Sequence, residues 1–179
     1  MNRTHTTARI ARIAAAIVLT TAAAAYAQEN VFDASHNTED ALISALGLKT
    51  RSIRVGPAPK PFSGQAHLLI TFDTDSAELS AQTRSMLDVL AHALQSDQLK
   101  RLNFRIEGHA DARGDSGHNQ KLSQERADSV TAYLVGRYGI DAARLTPEGK
   151  GSSEPLNLER IDAPENRRVS VVRIDATAN

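Results

Sequence analysis

No cysteine occurs anywhere in the 179-residue sequence. That absence excludes a disulfide framework, a thiolate metal centre, a cysteine nucleophile and a lipid attached through an N-terminal cysteine. An excess of one charge is missing too, since 21 Lys and Arg face 21 Asp and Glu for a formal net charge of +0. Affinity for a phosphate backbone comes mostly from clustered cations that release counterions, so nucleic acid is not an expected partner. Nor does the apolar run from Ile13 to Ala25 reach the ~20 residues that span a bilayer. It follows Arg3, Arg9 and Arg12 and leads into Ala25-Tyr26-Ala27, a small-x-small cleavage pattern. Residues 1–27 are therefore predicted to be a secretory signal cut after Ala27. Its loss removes three arginines and no acid, turning the net charge from +0 to −3. An exported, cysteine-free chain behind a bacterial-style signal is expected in a periplasm, where its hydrophobic core alone must hold the fold.

Residues 28–64 read as a preamble. Asn37 or Thr38 is placed to cap a short helix, Leu42, Ile43 and Leu46 give it one apolar face, and Gly47 stands at its C-cap. Gly56-Pro57-Ala58-Pro59-Lys60-Pro61 then reads as an extended linker, because prolines at this density cannot continue a helix. At ~9–11 residues per strand the preamble is too short for even an eight-stranded membrane barrel. It is expected to dock on the main domain or on a partner.

The main domain is placed at 65–179. A strand is predicted over His67–Asp73, with Leu68, Ile70 and Phe72 on one face and Leu69 and Thr71 on the other. Asp75 or Ser80 starts a helix whose Leu79, Met86, Leu87, Leu90 and Leu94 follow the 3.6 period. A second strand, Leu102–His109, precedes a second helix from Asn119 to about Arg137 with Leu122, Val130, Tyr133 and Leu134 inward. An extended piece at Arg144–Gly149, a proline-bearing loop and a β-branched strand at Arg168–Ile174 complete the order β-α-β-α-β-β. This predicts an α/β sandwich, a mixed sheet with helices packed on one face.

One residue breaks the second helix. Arg126 lies four after Leu122 and four before Val130, on the stripe that faces the core. A guanidinium there must be paired or must line a cleft, because burying it alone costs several kcal/mol. Asp111 and Asp73 both stand just past predicted strands, at the sheet edge where open α/β sheets commonly bind ligands. Two carboxylates and one forked cation suit a zwitterion, with its ammonium on the acids and its carboxylate on Arg126. An internal Asp111 to Arg126 salt bridge is the alternative, and the pattern alone does not choose between them.

Three segments carry a family resemblance: Ile106-Glu107-Gly108-His109-Ala110-Asp111, then Asn119-Gln120-Lys121-Leu122-Ser123-Gln124-Glu125-Arg126-Ala127-Asp128-Ser129-Val130, then Asn166-Arg167-Arg168-Val169. Together they resemble the OmpA-like peptidoglycan-binding domain over roughly residues 66–175. The resemblance implies that Asp111 and Arg126 hold the ammonium and the carboxylate of meso-diaminopimelate in the peptidoglycan stem peptide. Asn119, Leu122 and Asp73 would complete the pocket, with Phe72, Ala110, Asn166 and Arg167 in support. Ala110 stands where the family commonly has threonine and His118 where it has tyrosine, each change worth ~1 kcal/mol of binding.

Other motifs read as structure. Gly114-Asp115-Ser116-Gly117 imitates a protease nucleophile segment without a triad, and Glu148-Gly149-Lys150-Gly151-Ser152 lacks the first glycine of a phosphate loop. His109 and His118 with Asp111 lack the spacing of a metal site. The expectation is a non-enzymatic, periplasmic peptidoglycan binder without cofactor or metal, outside the lipoprotein branch and with neither lipid nor barrel to hold it. It would anchor or organise the Gram-negative envelope, near the outer membrane or cell wall. A homodimer, or an envelope protein bound through residues 28–56, would add avidity. A protein-interaction module with weak or lost peptidoglycan binding is the alternative.

Overall fold

The computed structural model describes residues 30–47, 64–70, 72–73 and 75–174, so the expected signal and the Pro-rich linker lie outside the described residues. In chain order the elements are β1 (Val31–Phe32), α1 (Glu39–Leu46), β2 (Gln65–Leu68), α2 (Ala81–Gln95), β3 (Asn103–Gly108), α3 (Ser116–Tyr138), β4 (Leu145–Gly149) and β5 (Val169–Ile174). Short 3-10 turns at Ala142–Arg144 and Pro164–Asn166 precede β4 and β5. The strands form one mixed sheet in the order β1-β2-β5-β3-β4. β5 runs antiparallel to both of its neighbours, while β1 pairs with β2 and β4 with β3 in parallel.

Each helix begins where a side chain can take up a free amide. Thr38, Ser80 and Asp115 are the N-caps, accepting from the backbone N–H of Ala41, Thr83 and His118. Gly139 ends α3 at a φ of 64°, a left-handed conformation that suits glycine.

The register separates two faces. Ala66, Val171 and Ile106 line up across β2, β5 and β3, as do Leu68 with Val169 and Phe104 with Leu145. These residues join Leu42, Leu46, Leu87, Leu90, Leu94, Val130 and Leu134 from the three helices in one buried core. The opposite face carries a polar row in which His67, Ser170 and Glu107 are in register.

One expectation changes and one alternative is decided. β2 stops at Leu68 instead of reaching Asp73, because its β5 ladder ends with the Leu68 to Val169 pair and the Ile70 amide turns back onto the Leu68 carbonyl. Of the two places expected for the preamble, its helix takes the one on the main domain, which leaves the face of Leu42, Ile43 and Leu46 no outward contact for a partner: Leu42 and Leu46 are fully buried in the core and Ile43 packs against it. The two-residue β1 has no hydrophobic alternation long enough to announce it.

α3 sits very close to the sheet. A Cβ on Gly108 would collide with the Ser123 carbonyl, and one on Gly149, its register partner, would lie 2.6 Å from the Gln124 amide nitrogen. Three hydrogen bonds hold the contact: Gln120 Nε2 to the Gly149 carbonyl (2.6 Å), the Gly149 amide to Gln124 Oε1 (2.7 Å) and the Gly151 amide to Ser123 Oγ (2.9 Å).

Leu42→Ala is expected to lower stability by about 2–5 kcal/mol in urea unfolding, the usual cost of truncating a buried leucine. Gly108→Ala is expected to cost at least about 1–3 kcal/mol, because the whole helix must lift to admit one methyl.

Candidate functional site

An open cleft of about 530 Å³ forms where the chain after β2, the loop after β3 and the first half of α3 meet. Asp111, Arg126, Asn119, Leu122, Asp73, Phe72, Ala110 and Arg167 all line it, so the structure brings together eight of the nine residues singled out in the sequence. Asn166 is apart from it. Completely buried, it cross-links the loop before β5, accepting from the Asn157 amide (2.8 Å) and donating to the Arg160 carbonyl (3.0 Å).

The ion pairs differ from the simple alternative. Asp111, only 5% exposed, is paired with Arg113 (Nη2 to Oδ2, 2.7 Å) and with Arg167 (Nη1 to Oδ2, 2.6 Å). The Asp111 to Arg126 salt bridge is not among the ion pairs of the described residues. Burial pushes the Asp111 carboxyl up, yet hydrogen bonds from Arg113 and Arg167 outweigh it and hold the group at about 2. Asp111 is therefore a carboxylate at every physiological pH. Of its two partners, Arg113 is the more exposed, 65% by side chain against 40% for Arg167.

Arg126 is buried in a different setting. Its Nε donates to the Ser76 carbonyl (3.0 Å) and its Nη2 to the Asp73 carbonyl (3.3 Å), while the guanidinium stacks 4.8 Å from the Phe72 ring centroid. Asp73 thus meets Arg126 through its backbone, with its carboxylate left exposed. Burial lowers the Arg126 pKa and the nearby charge of Arg167 lowers it further, but a guanidinium stays protonated regardless. The cleft holds a buried cation without a carboxylate partner among the described residues, beside an acid paired with two arginines, one of them largely exposed.

Asn119 works on the backbone. Its Nδ2 donates to the carbonyls of Asp111 (3.2 Å) and Arg113 (2.8 Å), fixing the loop to the start of α3. His118, noted for replacing a tyrosine, reaches over the cleft to Asp75 (2.7 Å). Arg113 and Asp75 were missed by sequence reasoning. Loop residues carry no periodicity to orient them, and only the two-residue spacing from Asp111 hinted at Arg113. Among the described residues no group of three or more His, Asp or Glu is placed to hold a metal ion.

Behind the cleft a second polar group fills the far face of the sheet. Glu107, 4% exposed, meets Arg105 (2.8 Å), Lys150 (3.7 Å) and His109 (3.7 Å). His67 Nδ1 lies 2.8 Å from Ser170 Oγ, which lies 3.1 Å from His109 Nε2.

With this geometry in hand the relationships are clear. The OmpA family model matches residues 71–168, and the chain belongs to the OmpA family. The outer-membrane lipoprotein YfiB of Pseudomonas aeruginosa is 37% identical over 105 residues, 58% of this chain and 61% of its own. The probable lipoprotein YiaD of Escherichia coli is 34% identical over 104 residues, 57% of this chain and 46% of its own. Among solved structures, the peptidoglycan-associated lipoprotein from Burkholderia pseudomallei superposes with a TM-score of 0.51 at 29% identity, over 59% of this chain and 88% of that one. The chain thus spans less than two thirds of either curated relative. Its domain is a structural module and not an enzyme. One expectation is overturned: these relatives are named lipoproteins, so the missing cysteine does not set this protein apart from the lipoprotein branch.

The buried imidazoles predict a pH dependence. Burial, then the charges of Arg168 and His109, hold His67 down to about 4 from 6.5, and burial likewise lowers His109. Below 6.5 the unfolded chain takes up protons that the folded chain refuses, so stability falls as pH drops towards 4. Thermal unfolding followed from about pH 7 to about pH 4 is expected to show a declining midpoint, with a shallower slope in His67→Asn.

Proposed function

We propose that the protein binds cell-wall peptidoglycan non-covalently and takes diaminopimelate as the recognised residue, helping to anchor or organise the envelope. The observation that carries this reading is the pairing state of the cleft. Asp111 is neutralised by an exposed arginine that an ammonium can replace, and Arg126 is buried facing no carboxylate of the described residues. A zwitterionic side-chain terminus supplies both missing partners at once, its ammonium displacing Arg113 from Asp111 and its carboxylate meeting Arg126. Phe72 and Leu122 line the same cleft and offer apolar contact to the methylene chain. The name of the Burkholderia relative, a peptidoglycan-associated lipoprotein, supports the same ligand class.

In this reading residues 1–27 direct export and residues 65–179 form the binding domain, with the helix at 39–46 docked on it. Retention on the wall does not need a tight single site. A polymer of repeated stem peptides rewards any second attachment, whether a homodimer or an envelope partner. For such a partner Leu158 and Ile161, 77% and 53% exposed, are better placed than the buried leucines of α1.

In co-sedimentation with purified sacculi, Asp111→Ala and Arg126→Ala are each expected to weaken binding at least about tenfold, the scale of a lost charge-assisted hydrogen bond. Arg113→Ala is expected to bind as well as the parent or up to about fivefold better, since a surface pair competing with the ligand has gone. Loss of binding in Arg113→Ala as deep as in Asp111→Ala would reject the exchange of ammonium for guanidinium.

A further inference from the structure

A second cavity, about 290 Å³, adjoins the cleft and shares Phe72, Arg126 and Arg167 with it. One side of it is apolar, formed by Leu69 and Ile70. The other side is cationic, because Arg168 joins the two shared arginines there.

Arg168 is 5% exposed, yet its fork is only partly used. Nε donates to His67 Nδ1 (3.3 Å) and Nη2 to the Glu154 carbonyl (3.1 Å), while Nη1 is buried with no partner. His109 lines the same cavity, is 2% exposed, and has a buried Nδ1 that is also without a partner. Buried polar atoms are paired in the great majority of cases, and Nη1 is a donor, so Arg168 points to an absent acceptor, while the His109 Nδ1, an acceptor because Nε2–H faces Ser170 Oγ, makes no claim on that acceptor. The acid that also lines the cavity, Glu165, is engaged elsewhere, accepting from Asn157 Nδ2 at 2.7 Å.

We infer that this cavity is a second subsite, taking a carboxylate borne on a short aliphatic residue directly bonded to the one gripped in the cleft. In a stem peptide that residue is the D-alanine following diaminopimelate, with its methyl group against Leu69 and Ile70 and its terminal carboxylate on Arg168 Nη1. The inference rests on the cleft being the diaminopimelate site. It makes the protein a reader of the stem's end, favouring peptides that finish at this D-alanine over stems whose terminal carboxyl is blocked or cross-linked.

The test is calorimetric titration of the full exported chain with two synthetic tetrapeptides ending in diaminopimelyl-D-alanine, one with a free terminal carboxylate and one amidated there. The free acid is expected to bind about tenfold tighter, as a charge-assisted contact to a buried guanidinium allows. Arg168→Gln is expected to erase that difference. Because Arg168 is buried, its variant is checked by thermal unfolding, and should it not fold, the acid-to-amide comparison on the parent decides alone. Equal affinities for the two peptides would overturn the second subsite and leave the cleft reading standing. Failure of both peptides to bind would overturn the cleft reading and this one with it.

Discussion

Everything in the cleft is referred to the glycine pair on which α3 rests. Gly108 and Gly149 are register partners at the ends of adjacent parallel strands, and neither has room for a β-carbon under the helix backbone. The helix therefore approaches at backbone distance, and Gln120, Ser123 and Gln124 lock it by hydrogen bonds to the Gly149–Gly151 segment. Asn119 and Leu122 lie within one turn of that lock, and Arg126 within the next. Their positions relative to Asp111 follow from the strand that ends in Gly108, two residues before Ala110. A contact with no charge in it thus sets the geometry of the charges.

The site is also self-occupied. Asp111 sits in a buried position that would be costly for a lone carboxylate, and two arginines make it tolerable. One of them, Arg167, comes from the turn before β5, while the other, Arg113, comes from the loop after β3 and is the more exposed. This division lets the acid stay ionised while remaining available, since exchanging one cation for another changes the local charge little. Arg126 is stabilised differently, by two carbonyls and an aromatic face, which orient the fork without neutralising it. In the proposed reading, desolvation on both sides strengthens whatever an incoming zwitterion offers.

Much of this was legible in the sequence, and for a physical reason. Arg126 stood out because helical periodicity is strict, so one cation on an apolar stripe is a misfit that must have a use. The caps at Thr38 and Ser80 were readable because free amides select a few residue types. The length of β2 was not, since alternation of Leu68, Ile70 and Phe72 continues after the partner strand has run out. The fate of Leu42 and Leu46 was ambiguous for a similar cause: an amphipathic helix declares an apolar face but not which surface will cover it. The pairing of Arg113 with Asp111 and the polar row of His67, Ser170 and Glu107 depend on loop path and strand register, which local pattern does not encode. A missing cysteine speaks only to the chemistry of attachment, whereas ancestry is recorded in the sequence identity to named lipoproteins.

The margins of the sheet have their own effect. Among the described residues one edge is β1, only two residues long, and the other is β4, which carries Pro147 in the middle of its ladder. A strand that short offers little template, and proline withholds an amide where a newcomer would seek one. Among the described residues neither edge of the sheet invites a further strand, which protects the domain from sticking to its neighbours edge to edge and leaves association to be chosen by side chains.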